Sequence, residues 1–281
     1  MVQRGKAMRD NIAFVGGGAM GEAMIKAVLS CDLYGPQQIV VSEILQERRG
    51  ELASRYGVQV TADSAQAVAD ADAIVLAVKP QVLPEVLSDL RAKIPPQSLI
   101  LSIVAGARLA TMVEGLHHAA IVRSMPNTPA QIGQGMTVWT ATPDTSEEQR
   151  QQAEAILQAM GQAIHVHDEK MLDMATAVSG SGPAYVFLMM EAMIDAAVHL
   201  GFSWPVAKTL VLQTFLGSVL YASESGRHLA ELRNMVTSPG GTTAEALYQL
   251  EKGGVRAAID QAIRAAYEQS RRLAGTADPG K

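Results

Sequence analysis

The sequence predicts an α/β fold: a doubly wound, mainly parallel sheet in the first part of the chain, followed by an all-helical second part. Three observations carry this expectation. Short β-branched runs alternate with longer Ala-rich segments from Ile12 to about Val166, the signature of βαβ units. A glycine-rich turn closes the first of these strands. After His167 the β-rich runs stop and long helical patterns take over.

Strands are expected at Ile12–Val15, Gln38–Ser42, Ala73–Val78, Leu99–Val104 and Ala120–Arg123. Next come Met136–Thr140, a polar helix from about Glu147 to Met160 that stops at Gly161, and Ile164–His167. Near-continuous apolarity in Ala73–Val78 marks a strand covered on both faces. The second half reads as helices over about Pro183–Leu200, Pro205–Ser223, Leu229–Val236, Thr243–Glu251 and Val255–Leu273, with Gly201 as a stop and Pro205 as a start. The expected domains are therefore 1–167, with 1–10 as a loose polar leader, and 168–281. Met171, Met174, Met189, Met190 and Met193 form an apolar, adaptable set that suits an oligomer interface.

The chain has 281 residues, of which 48% are hydrophobic and 18% charged, with only four Phe and two Trp, so Ala, Val, Leu and Met must fill the core. A net charge of −5 without any Lys/Arg run offers no field for a phosphate backbone, so no nucleic-acid partner is expected. The single Cys31 excludes an internal disulfide and points to a reducing, cytoplasmic setting. No membrane span is expected, because the most apolar run, Val178–Leu200, contains Pro183, Glu191 and Asp195.

The turn Gly16-Gly17-Gly18-Ala19-Met20-Gly21 is a G-x-G-x-x-G between a strand and a helix over Ala19–Leu29, the context of a Rossmann dinucleotide site. Gly16 permits the tight turn, Gly18 clears the approach of the pyrophosphate, and Gly21 lets helix and strand pack closely. Glu43, closing the second strand, would accept hydrogen bonds from ribose hydroxyls and repel a 2′-phosphate, which favours NAD. Arg48 and Arg49 follow closely; either could reach a 2′-phosphate or simply form an exposed helix face. The choice between NADH and NADPH stays open. The turns Val78-Lys79-Pro80 and Val104-Ala105-Gly106 lie at carboxyl ends of strands, and Asn127 in a Pro-bounded loop could hold a nicotinamide amide.

Two Gly/Ser segments interrupt the helical half, Ser179–Pro183 and Ser238–Thr243. Adjacent glycines and hydroxyls at a helix start expose several N–H donors, enough to hold a small carboxylate. A nicotinamide site together with such an anion site suggests hydride transfer to a small acid. His165-x-His167 lacks a third ligand by spacing, so no metal is expected. A β-hydroxyacid dehydrogenase would need a Lys on Pro183–Leu200, which has none, and a dinucleotide-binding sensor would not need the Ser238–Thr243 loop.

The blocks Gly16–Gly21, Ala77–Pro80, Arg123–Pro129, Val178–Tyr185 and Ser238–Thr243, in this order, make the chain resemble the pyrroline-5-carboxylate reductases from about Ile12 to Leu273. The resemblance implies reduction of Δ1-pyrroline-5-carboxylate by NADPH or NADH, and a homodimer of interleaved helices assembled into a decamer. It implies that Ser238, Gly241 and Thr242 bind the substrate carboxylate, that Thr243 reaches the imine nitrogen, and that Glu169 borders the substrate. The cofactor positions it implies are Ser42, Glu43, Ser64, Val78 to Pro80, and Val104 to Ala105, besides Gly16, Gly18, Ala19, Met20 and Gly21. Glu43 departs from the small hydroxyl residue common in NADP-binding members, and Met235 replaces an Asn that some relatives place near the ligand.

Overall fold

A computed structural model describes residues 11–275; the leader expected over 1–10 lies outside them. β1 (Ile12–Val15), α1 (Ala19–Ser30), β2 (Ile39–Ser42), α2 (Gln46–Tyr56), β3 (Gln59–Thr61) and α3 (Ser64–Val68) build the first half of a sheet. β4 (Ala73–Leu76), α4 (Leu83–Leu90), β5 (Leu99–Ser102), α5 (Leu109–Leu116) and β6 (Ile121–Met125) build the second half. β7 (Gly135–Ala141), α6 (Glu147–Gln158) and β8 (Gly161–His165) extend it. The strand order is β3-β2-β1-β4-β5-β6-β7-β8, parallel throughout except for β6 against β7. Its first six strands follow the doubly wound dinucleotide-binding order.

The strands are apolar along their whole length because both faces are covered. In β1, Ile12 and Phe14 join one core with Met24, Ile25 and Val28 of α1, while Ala13 and Val15 join another with Leu83, Leu87 and Met112. β4 and β5 end at Leu76 and Ser102, short of the expected Val78 and Val104, because the chain leaves the sheet there to form the loops of its carboxyl edge. Gly161 opens β8 instead of ending α6. Its φ is +138°, and a Cβ there would collide with the Gly135 carbonyl. Only glycine allows the two strand starts to meet so closely.

The chain forms two compact units: one runs to Ser181 and takes up the chain again from Ala266, and the other is Gly182–Ala265. The first thus reaches beyond the change in secondary structure at 167, because α7 (Lys170–Ala175) buries Leu172 and Asp173 within it. After α7 the helix does not break at Ser179–Pro183 as expected. It widens into a π turn, Thr176–Gly180, that runs into α8 (Gly182–His199). Pro183 has no N–H to give the Ser179 carbonyl four residues back, and the Asn127 side-chain amide supplies that hydrogen bond at 3.0 Å.

The second unit holds α8, α9 (Trp204–Ser225), α10 (Leu229–Met235), α11 (Thr242–Lys252) and the first part of α12 (Val255–Leu273), with α8 packed on α9. Its apolar side chains are largely uncovered in the single chain: Phe187, Leu188, Leu216 and Val219 are all more than half exposed. By length and composition alone, Lys170–His199 and Trp204–Ser225 are each long and apolar enough to cross a membrane, a test that a packed helix of a soluble protein also passes.

Candidate active site

The glycine turn sits at the carboxyl end of β1. Gly16 has φ +105°, and a Cβ on it would lie 2.7 Å from the Ala77 carbonyl oxygen. A Cβ on Gly21 would lie 2.5 Å from the Gly16 carbonyl oxygen. These two glycines are therefore required by close packing of α1 against the strand ends. Gly18 differs: it caps α1 with φ −67°, and a Cβ on it would meet nothing within 4 Å. The space over Gly18 is open, and no side chain caps the first-turn N–H groups that Ala19 and Met20 begin. A helix start of this kind suits a pyrophosphate, so the residues present fit a dinucleotide.

Around this turn the sequence-derived positions cluster at the carboxyl edge of the sheet. Gly16 N–H donates to the Ser42 carbonyl at 2.8 Å. The Ser42 and Ser64 hydroxyls are 2.8 Å apart. Glu43 accepts from Gly17 N–H and Leu45 N–H, both at 3.0 Å, one on each carboxylate oxygen. Val78 abuts Gly16, with its Cγ1 3.2 Å from a Cβ placed there, and Lys79 and Pro80 begin a single 3-10 turn. Val104 is buried and Ala105 half-buried at the equivalent turn after β5.

The two arginines are not idle on an exposed helix face. Arg48 donates Nε to the Gly17 carbonyl at 2.8 Å, and its other nitrogens pair with Glu22 and Glu51. Arg49 Nη1 donates to the carbonyls of Glu43 and Ile44 at 2.6 and 2.9 Å. Glu22 gathers Arg48, Arg55 and the Tyr56 hydroxyl. Burial pushes the Glu22 carboxyl up, but the hydrogen bonds from Arg48, Tyr56 and Arg55 outweigh it and hold the group below the usual carboxylate range.

Asn127 is engaged at both ends of its amide. Besides donating to Ser179, it accepts Met136 N–H at 2.9 Å, so it clamps the β6–β7 loop to the π turn. Glu169 Oε1 accepts from Leu109 N–H and from Arg123, both at 2.8 Å. The Arg123 fork also reaches Asp173 at 3.2 Å, with Arg108 3.7 Å from the same carboxylate and the Ser270 hydroxyl 3.4 Å from it. Arg123 and Asp173 are 3% and 2% exposed, so this is an interior ion network with two cations and two anions.

The sequence reading missed that network and the role of Glu22. An arginine at the end of an otherwise apolar strand, and Glu169 and Asp173 one helical turn apart, were the available signals. His165 stacks on Trp139, with centroids 4.4 Å apart, and lies 4.9 Å from the His167 ring. The strand ends at His165, so the two do not share a strand face.

In the second unit, Gly240 has φ +68° and Gly241 caps α11 without a side-chain hydrogen bond. Ser238 closes the turn by accepting Gly241 N–H on its carbonyl at 3.0 Å, and its Oγ fills the place a Cβ on Gly241 would take. Thr242 opens α11 one residue earlier than expected. Thr242 is exposed and Thr243 half-buried; among the described residues neither hydroxyl has a hydrogen-bond partner. Met235 is exposed and receives Arg227 Nη1 on its sulfur at 3.4 Å.

The strand order and the open start of α1 define a Rossmann-type dinucleotide-binding protein, one with a second unengaged helix start at α11. Residues 11–106 match a family profile described as NADP oxidoreductase, coenzyme F420-dependent, and residues 169–273 match one described as pyrroline-5-carboxylate reductase dimerisation. The chain is 42% identical to a pyrroline-5-carboxylate reductase from Synechocystis over 95% of its own length and 99% of the relative's.

Among solved structures it is similar to a pyrroline-5-carboxylate reductase from Coxiella burnetii, with 35% identity, TM-score 0.86, and 95% and 99% of the two chains covered. It is also similar to the Plasmodium falciparum pyrroline carboxylate reductase with NADP bound, with 29% identity, TM-score 0.87, and 96% and 100% covered. The chain belongs to the pyrroline-5-carboxylate reductase family.

Proposed function

We infer that this chain reduces Δ1-pyrroline-5-carboxylate to L-proline, the last step of proline biosynthesis, with NADPH or NADH as reductant. The observation that carries the reading is a nucleotide-receptive glycine turn in a chain related over almost its whole length to reductases of this name. Bound NAD(P)H supplies the hydride.

The first-turn N–H groups of Ala19 and Met20 take the pyrophosphate, with Gly18 leaving room for it. Ser42, Glu43 and Ser64 meet the adenosine side. Val78, Lys79, Pro80, Val104 and Ala105 line the nicotinamide side, and Asn127 keeps the neighbouring loop in place. Ser238, Gly241 and Thr242 hold the substrate carboxylate at the start of α11. Thr243 directs its hydroxyl to the imine nitrogen, and Glu169, whose Oε2 is outside the Arg123 contact, borders the substrate. Little acid–base machinery is needed, because a proton from solvent gives the iminium form and the chain has only to align the acceptor carbon and exclude water.

The functional division proposed is nucleotide binding by 1–167 and substrate binding with dimerisation by 168–281. The uncovered apolar faces of α8 and α9 support burial against a second copy of the chain, with dimers assembling into a decamer, in preference to a lipid environment. The absence of a basic run in an acidic chain and the lone Cys31 support a cytoplasmic enzyme without a nucleic-acid partner.

Thr243→Ala is expected to lower kcat about tenfold, the worth of one well-placed hydrogen bond, while nucleotide affinity stays unchanged and Thr243→Ser retains most activity. Turnover equal to the parent protein in Thr243→Ala removes Thr243 from the mechanism. Formation of L-proline, identified by chiral chromatography, tests the function itself; a different product would refute it.

A further inference from the structure

We propose that this chain selects NADH over NADPH, and that two carboxylates make the selection: Glu43 by facing the ribose, and Glu22 by holding Arg48 away from a 2′-phosphate. The inference rests on the reading of the chain as an NAD(P)H-dependent reductase.

Glu43 follows the last residue of β2, where a dinucleotide fold meets the adenosine ribose. Its carboxylate is fixed there by the N–H groups of Gly17 and Leu45, one on each oxygen. A carboxylate oxygen has room for a further hydrogen bond, so the group can still accept from both ribose hydroxyls. A 2′-phosphate offers it no donor and brings two like charges together. The anchor is the glycine turn itself, which ties the orientation of Glu43 to the loop that receives the pyrophosphate.

A nearby cation could rescue a 2′-phosphate, and the sequence supplies Arg48 and Arg49. Arg48 is committed elsewhere, and Arg49 is tied to backbone by one nitrogen. All three nitrogens of the Arg48 guanidinium are in use, on Gly17, Glu51 and Glu22, and Arg49 Nη1 bridges the carbonyls of Glu43 and Ile44. Glu22 stands in the first turn of α1 and also takes up Arg55. Its single charge is shared between Arg48 and Arg55, and Glu51 supplies Arg48 with a second carboxylate. Repulsion at Glu43 and sequestration at Glu22 act in the same direction.

The test is equilibrium binding of NADH and of NADPH to the assembled protein without imine, followed by the fluorescence of the bound reduced nucleotide. The parent protein should bind NADH at least about tenfold more tightly, as expected for a like-charge contact removed from water. Glu43→Ser should shrink that ratio by about tenfold, and Glu43→Gln, which keeps an acceptor, should shrink it less. Glu22→Gln should tighten NADPH by about threefold, the scale of a partly exposed ion pair, with NADH unchanged, and adding Arg48→Ala to it should cancel the gain. A parent protein that binds both equally or prefers NADPH overturns the proposal, as does a ratio unmoved in Glu43→Ser. Equal binding of both leaves the reductase reading standing, whereas binding of neither overturns both.

Discussion

Gly18→Ala is expected to leave the protein folded and to weaken binding of either nucleotide by about 10- to 100-fold, the cost of a methyl group forced into an occupied space. The position isolates ligand sterics from folding. Its backbone, φ −67°, is one any residue adopts, and a Cβ there touches no protein atom within 4 Å. The same change at Gly21 drives a Cβ to 2.5 Å from the Gly16 carbonyl oxygen, and at Gly16 it adds a positive φ to the clash. Those two variants should lose stability as well as binding. The measurement is a nucleotide titration paired with a thermal melt of each variant. A Gly18→Ala protein that binds like the parent would mean that the space over the glycine turn is not where the pyrophosphate lies.

Arg123→Met should destabilise the sheet-bearing unit by about 3–5 kcal/mol, because removing one partner of a buried pair leaves the other uncompensated. Here the loss is shared by two carboxylates. Glu169 would keep only the Leu109 N–H among its observed donors, and Asp173, 2% exposed, would keep Arg108 at 3.7 Å and the Ser270 hydroxyl. Arg123→Lys retains the charge but not the fork that reaches both acids, so its loss should fall in between. Urea unfolding at one fixed protein concentration reads the difference, since assembly itself contributes stability. A change below about 1 kcal/mol, the worth of a surface pair, would show that water compensates the acids and that the network is not a structural anchor.

Much of the sheet is legible in the sequence because its signals are local. A strand covered on both faces is a continuous apolar run, and β1 and α12 begin and end where the patterns do. The glycine turn is legible because its motif is contiguous, although only Gly21 answers a residue close in the chain, Gly16, whereas Gly16 itself meets Ala77 on another strand end. Less visible were features that depend on partners distant in the chain. The helix runs on through a π turn closed by Ser181 N–H on the Thr176 carbonyl, and Asn127, 52 residues before Ser179, satisfies the carbonyl that Pro183 cannot; a Gly/Ser/Pro segment alone reads as a break. Arg48 looked available for a phosphate because Glu22, 26 residues before it, carries no pattern that announces the pairing. Glu169 was placed by resemblance, and the Arg123 contact that fixes it spans 46 residues.

The central claim is tested most directly by steady-state oxidation of NADH and of NADPH by the purified protein, each with Δ1-pyrroline-5-carboxylate and each with the imine omitted. Rapid oxidation that depends on the imine and yields proline is the predicted result. A folded protein that binds nucleotide yet oxidises neither cofactor when the imine is added would contradict the account.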